Sequence, residues 1–76
     1  MLLSNRLKAL REDSDLTQLE LAKILHITAT ALSNYETSYR EPNLDIVIKI
    51  ADYFRVSADY LLGRTDIPPP YPSKHK

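Results

Sequence analysis

Apolar side chains recur along this chain at intervals of three and four residues, and the intervals predict helices. Leu3, Leu7 and Leu10 stand at i, i+4 and i+7, with Arg6, Lys8 and Glu12 off the stripe, so a first helix is expected from Leu3 to Asp13. Thr17-Gln18-Leu19-Glu20 fits a capping box, in which the threonine oxygen and the glutamate satisfy each other's backbone N–H groups. Leu16 and Leu21 stand where a hydrophobic staple would pack, and the helix runs to about Leu25. Thr28 caps a third helix that runs to Glu36. Its apolar bulk is slight, Leu32 and Tyr35 with Ile27 just before, so one face must look outward. Asn43 opens a fourth helix, where Leu44, Val47, Ile48, Ala51 and Phe54 form the strongest stripe. Ser57 caps a short fifth, Val56 and Leu61 staple it, and Gly63 offers a left-handed stop.

Composition narrows the picture to an all-α domain. Gly63 is the only glycine, and the prolines are confined to Pro42 and to Pro68, Pro69, Pro70 and Pro72, so nothing breaks a helix before Glu41. Seventy-six residues suffice for one core only. With 43% hydrophobic and 26% charged residues, the balance is that of a folded chain and not a disordered one. The division expected is a folded domain over 1–65 and a proline-rich tail over 66–76, in which Ile67 and Tyr71 could dock.

Several functional classes drop out. There is no cysteine, hence no disulfide, thiolate metal site or thiol nucleophile. His26 and His75 are the only histidines, too few for a metal site, and His26 reads as a helix C-cap. No paired carboxylates with a base, nucleophile dyad or phosphate loop is present, so neither an enzyme nor a cofactor is expected. No run is long enough to span a membrane. Arg6 and Lys8 follow the first residues too soon for a signal peptide, which leaves a soluble, cytoplasmic domain as the expectation. Lys plus Arg equal Asp plus Glu, ten of each, and Asp45, Asp52 and Asp59 recur every seven residues as a solvated acidic face.

The second and third helices stand with only about three residues between them. So short a connection forces a sharp crossing, which Ala22 makes room for. This is a helix-turn-helix, an arrangement whose second helix can enter a DNA major groove. The run Leu16-Thr17-Gln18-Leu19-Glu20-Leu21-Ala22 resembles the "LTQxELA" opening of the phage Cro/repressor-like (XRE-type) helix-turn-helix family. Leu32-Ser33-Asn34-Tyr35-Glu36 resembles the end of that family's recognition helix, Arg40-Glu41-Pro42 its following loop, and Val56 to Gly63 its closing "VSxDYLLG". The resemblance covers roughly Leu3 to Arg64.

The resemblance implies a compact five-helix, lambda-repressor-like domain that binds double-stranded operator DNA as a homodimer and regulates transcription by occupancy. It implies that Gln18, with the free N–H groups of the first turn of its helix, holds a phosphate. Ala29, Thr30, Ser33 and Asn34 are then the residues near bases, since Asn pairs with adenine and Ala or the Thr methyl meets a thymine methyl. No Arg or Lys lies on that helix, which points to an adenine–thymine-leaning half-site. Tyr39 and Arg40 suit phosphate contacts, with Lys23 or Arg6 as further cations. It also implies an ion pair between Arg11 and Glu36, and glycine is common in the family where this chain has Asp15, His26, Ser38 and Arg55. Tyr60, Leu61 and Leu62 are candidates for the dimer contact. The rival reading is an antitoxin-like module that binds a protein partner through Leu19, Ile24 or the tail. As structural residues, Leu19 and Ile24 would cover edges of the core.

Overall fold

The computed structural model describes residues 2–66, and every regular element among them is helical. The helices are α1 (Leu2–Asp13), α2 (Gln18–Leu25), α3 (Ala29–Glu36), α4 (Leu44–Phe54) and α5 (Ala58–Leu61), the five expected. The tail from residue 67 on, with Ile67 and Tyr71, lies outside the described residues.

Local side-chain chemistry starts the helices. Thr17 Oγ1 accepts from the Glu20 N–H at 3.1 Å, and Glu20 Oε1 accepts from the Thr17 N–H at 2.8 Å, which closes the capping box. The side chains of Thr28, Asn43 and Ser57 accept from Ala31, Ile46 and Tyr60 at 3.0, 2.9 and 3.0 Å. Each cap contributes about 1 kcal/mol.

One three-residue corner is used three times, as Asp15-Leu16-Thr17, His26-Ile27-Thr28 and Arg55-Val56-Ser57. Its first residue is left-handed, with φ of 57°, 60° and 59°. The next N–H closes back on the preceding helix: Leu16 donates to Arg11 O, Ile27 to Ala22 O and Val56 to Ala51 O. This is the Schellman stop, and the apolar middle residue that accompanies it packs on the core in all three corners. The third residue caps the next helix. Leu16, Ile27 and Val56 therefore each close one helix and staple the following one, opposite the buried Leu21, Leu32 and Leu61. The positions where the family resemblance led one to expect glycine are the left-handed ones, Ser38 included at 66°.

The fully buried large side chains are Leu7, Leu21, Leu25, Leu32, Ile50 and Leu61, so every helix supplies at least one. Each contributes about 1.5–3 kcal/mol by leaving water. α3 packs on α1 and α2, and α4 packs on α2 and α5. On α4 the expected stripe is corrected. Val47, Ile50 and Ala51 are buried, with Ile46 and Phe54 packed beside them, while Leu44 is 65% exposed and Ile48 45%. Apolar residues occupy more than half of this helix's circumference, so periodicity alone does not say which part turns inward. On α5, Leu61 is fully buried and cannot meet a symmetry mate, whereas Leu62 is half exposed. Leu19, at 56% exposure, covers no core edge, and Ile24 is also exposed.

Arg6 fastens the far end of the domain to α1. Its guanidinium donates to Tyr60 O at 2.5 Å, Thr65 O at 2.7 Å and the Asp66 carboxylate at 2.7 Å, and it lies 4.0 Å from the centre of the Tyr60 ring. Sequence reasoning offered Arg6 as a phosphate contact. The structure corrects this, because its donors are committed to residues 54 to 60 positions away.

The corners generate a test. A left-handed L-residue costs about 1–2 kcal/mol, part of which glycine returns through its freer unfolded chain. His26→Gly and Arg55→Gly are each expected to raise the unfolding free energy by about 0.5–1 kcal/mol in urea titrations. Gly63→Ala is expected to lower it by about 1–2 kcal/mol. There φ is 81° and an added Cβ would stand 2.8 Å from Leu2 Cδ2.

Candidate nucleic-acid interface

The corner His26-Ile27-Thr28 sets α3 across α2, and the side chains of α3 then divide by depth. Leu32 and Glu36 are buried, Tyr35 and Ala29 pack partly against the core, and Thr30 is exposed. Ser33 and Asn34 are half-buried. At about 100° per residue, Thr30 and Asn34 lie opposite the buried Leu32 and Glu36 and so at the crest of the outward face. Ala29, one of the residues expected near bases, is turned toward the core instead. Among the described residues the side chains of Thr30, Ser33 and Asn34 make no hydrogen bond.

The far end of α3 is held by charge. The Glu36 carboxylate, its side chain 2% exposed, accepts from Arg11 Nε at 2.7 Å and Arg11 Nη2 at 3.1 Å. It also accepts from Gln18 Nε2 at 3.1 Å, and Arg11 Nη1 donates to Leu16 O at 2.8 Å. The carboxylate thus joins the ends of α1 and α3 and the first residue of α2, and the guanidinium it holds joins the corner between α1 and α2. The bond to Glu36 raises the arginine's pKa above its ordinary value, against an opposing effect of burial. A raised pKa stabilises the fold in full at pH values below the ordinary arginine value, and that contribution is lost as pH rises from there through the raised value. The ion pair implied by the family resemblance is therefore present. The bond from Gln18 was not anticipated: the side chain read as a phosphate contact uses one amide N–H on Glu36.

Beyond α3, the Arg40 N–H donates to Asn34 O at 3.2 Å and the hydroxyls of Ser38 and buried Ser4 are in contact, which ties the following loop to α3 and α1. Tyr39 is 75% exposed and Arg40 is exposed. Neither Arg40 nor Lys23 has an ion pair among the described residues. No three metal-ligating side chains come together there either, and no helix is long and apolar enough to cross a membrane.

A family model described as helix-turn-helix matches residues 7–61, most of the described chain. The chain belongs to this helix-turn-helix family. Its similarity to the regulator ImmR of Bacillus subtilis (strain 168) is 43% identity over 67 residues, 88% of this chain and 53% of ImmR. Antitoxin PezA of Streptococcus pneumoniae is 34% identical over 62 residues, 82% of this chain and 39% of PezA. The chain thus spans about half or less of the length of these relatives. The fold is similar to the P22 c2 repressor in a crystal structure of its complex with a synthetic operator, with a TM-score of 0.75 and 30% identity. That match covers 80% of this helix-turn-helix chain and 92% of the repressor chain. The five-helix, lambda-repressor-like fold implied by the motifs is the one the chain adopts.

The buried pair gives the second prediction. Arg11→Ala and Glu36→Ala are each expected to destabilise the domain by about 3 kcal/mol or more, since each strands a partner away from water. The double change Arg11→Met with Glu36→Leu is expected to do less harm than either. Gln18→Ala, which leaves both arginine bonds in place, is expected to lose about 1 kcal/mol. Denaturant midpoints of the four variants check the order, and single losses under about 0.5 kcal/mol would mark the pair as no better than a surface one.

Proposed function

We propose that this chain is a sequence-specific DNA-binding transcriptional regulator that acts by occupying an operator as a homodimer. One observation carries the reading: α3 is locked on its inner side by Leu32 and Glu36 and carries on its outer side polar side chains that have no hydrogen-bond partner among the described residues. A helix so arranged suits a major groove, whose base edges supply the missing partners. The likeness to a repressor bound to an operator supports it. In this reading Thr30, Ser33 and Asn34 face bases, with Ala29 at the margin. Tyr39, Arg40 and the first-turn N–H groups beside Gln18 hold phosphates.

The antitoxin-like reading draws support from the exposure of Leu19 and Ile24 and from the similarity to PezA. These two side chains sit five residues apart on opposite flanks of α2, so they form no single apolar patch. Salt-sensitive DNA binding by the chain without a partner separates the two readings, and its absence would favour the protein-binding one.

Charge sets the size of the salt effect. Arg6 and Arg11 are committed to internal bonds, which leaves Arg40 and Lys23 as the exposed cations nearest this face in sequence. With about two phosphates neutralised per subunit, a dimer is expected to show a slope of log K against log salt near −4. Fluorescence anisotropy with a selected duplex at several salt concentrations measures it. A slope near −10 would mean that many more cations reach the DNA.

A further inference from the structure

We infer that the half-site read by α3 is built from A·T pairs, with Thr30 on a thymine methyl and Asn34 on an adenine edge. The inference rests on the DNA-binding reading above and narrows it to a class of sequence. Thr30, exposed, and Asn34, half-buried, stand four residues apart on the outward side of α3, so a groove that admits this helix meets both. Their neighbours Ala29, Ala31 and Ser33 are small, which lets the helix backbone approach closely enough for two short side chains to reach.

The available chemistry then selects the bases. Guanine presents O6 and N7 acceptors, which Arg or Lys reads, and α3 has no Arg or Lys. Cytosine presents the N4 donor, which Asp or Glu reads, and the only acidic residue of α3 is Glu36, buried and bonded to Arg11 and Gln18. The hydroxyls of Thr30 and Ser33 serve either kind of pair, so a primary amide and a methyl group remain to discriminate. The Asn34 amide matches the N6 donor and N7 acceptor of adenine together, and the Thr30 methyl matches the C5-methyl of thymine. The main-chain carbonyl of Asn34 is already engaged by the Arg40 N–H and, at 3.3 Å, by Thr37 Oγ1. The backbone beneath the reading amide is thereby fixed. Arg40 itself stands in the loop beyond the helix, where a guanidinium serves phosphates.

The test uses the full chain and a random-sequence duplex library, from which bound sites are selected. Adjacent A·T pairs are expected in each half-site. In the selected duplex each thymine is then replaced by uracil, which removes only the methyl group, and each adenine by 7-deazaadenine, which removes only N7. At one position uracil should weaken binding about fourfold, the worth of one methyl group, and should cause no further loss with Thr30→Ser. At another, 7-deazaadenine should weaken binding about fivefold or more and should have no effect with Asn34→Ala. Both side chains lie outside the core, and circular dichroism verifies that the variants keep their helices. Selection of G·C pairs, or analogue losses that persist undiminished in the two variants, overturns the inference and leaves operator binding standing. Failure to select any sequence overturns the DNA-binding reading, and the inference with it.

Discussion

A buried carboxylate governs the pose of the helix proposed to meet DNA. α3 keeps one side polar and is held by less apolar packing than α2 or α4: its one buried apolar residue is Leu32, where α2 buries Leu21, Ala22 and Leu25 and α4 buries Val47, Ile50 and Ala51. Glu36 makes up the deficit. Three bonds of 2.7–3.1 Å from Arg11 and Gln18 fix the end of α3 against two other helices. A well-packed apolar cluster could match such a pair in stability. It would not match it in direction, because apolar contacts tolerate slippage about the helix axis and a bidentate guanidinium–carboxylate pair does not.

The same economy shapes the electrostatics. Two of the arginines that might have met phosphates are turned inward, Arg11 to Glu36 and Arg6 to the end of α5. In the proposed DNA-binding reading, orientation on a duplex then falls on Arg40 and largely on neutral groups, the first-turn amides of α2 and the short side chains of α3. Neutral groups add little to non-specific attraction, so a larger share of the binding free energy depends on the sequence being read.

How much of this was legible in the chain depended on the range of each interaction. Thr17, Thr28, Asn43 and Ser57 announced the helix starts because a cap bonds to a residue three positions on. The staples of Leu16 and Val56 were readable for the same reason. The left-handed turns at Asp15, His26 and Arg55 were not readable from residue type, since none is glycine, and they emerged only from likeness to a family. The inward face of α4 was misjudged because Leu44 and Ile48 are as apolar as Ile46 and Ile50, and only packing against α2 and α5 decides between them. Of the long-range partners, Arg11 with Glu36 came from the family resemblance, while Gln18 with Glu36 and Arg6 with Thr65 depend on crossing angles that no local pattern encodes. At the candidate interface, Thr30 and Asn34 stand where helical spacing placed them. Ala29 turned inward because the first residue of α3 follows a corner already anchored in the core.

The Arg6 clamp brings the beginning of α1 and the segment after α5 into one place. A domain whose two ends meet has no structurally privileged order of helices. A short peptide joining residue 66 to residue 2 would close the backbone into a ring, and new ends could be opened in the exposed stretch between α3 and α4. The five helices would then be translated in another sequence around an unchanged core. The same adjacency lets the whole unit be set into a surface loop of another protein at a single point, a portable part rather than a fixed terminus.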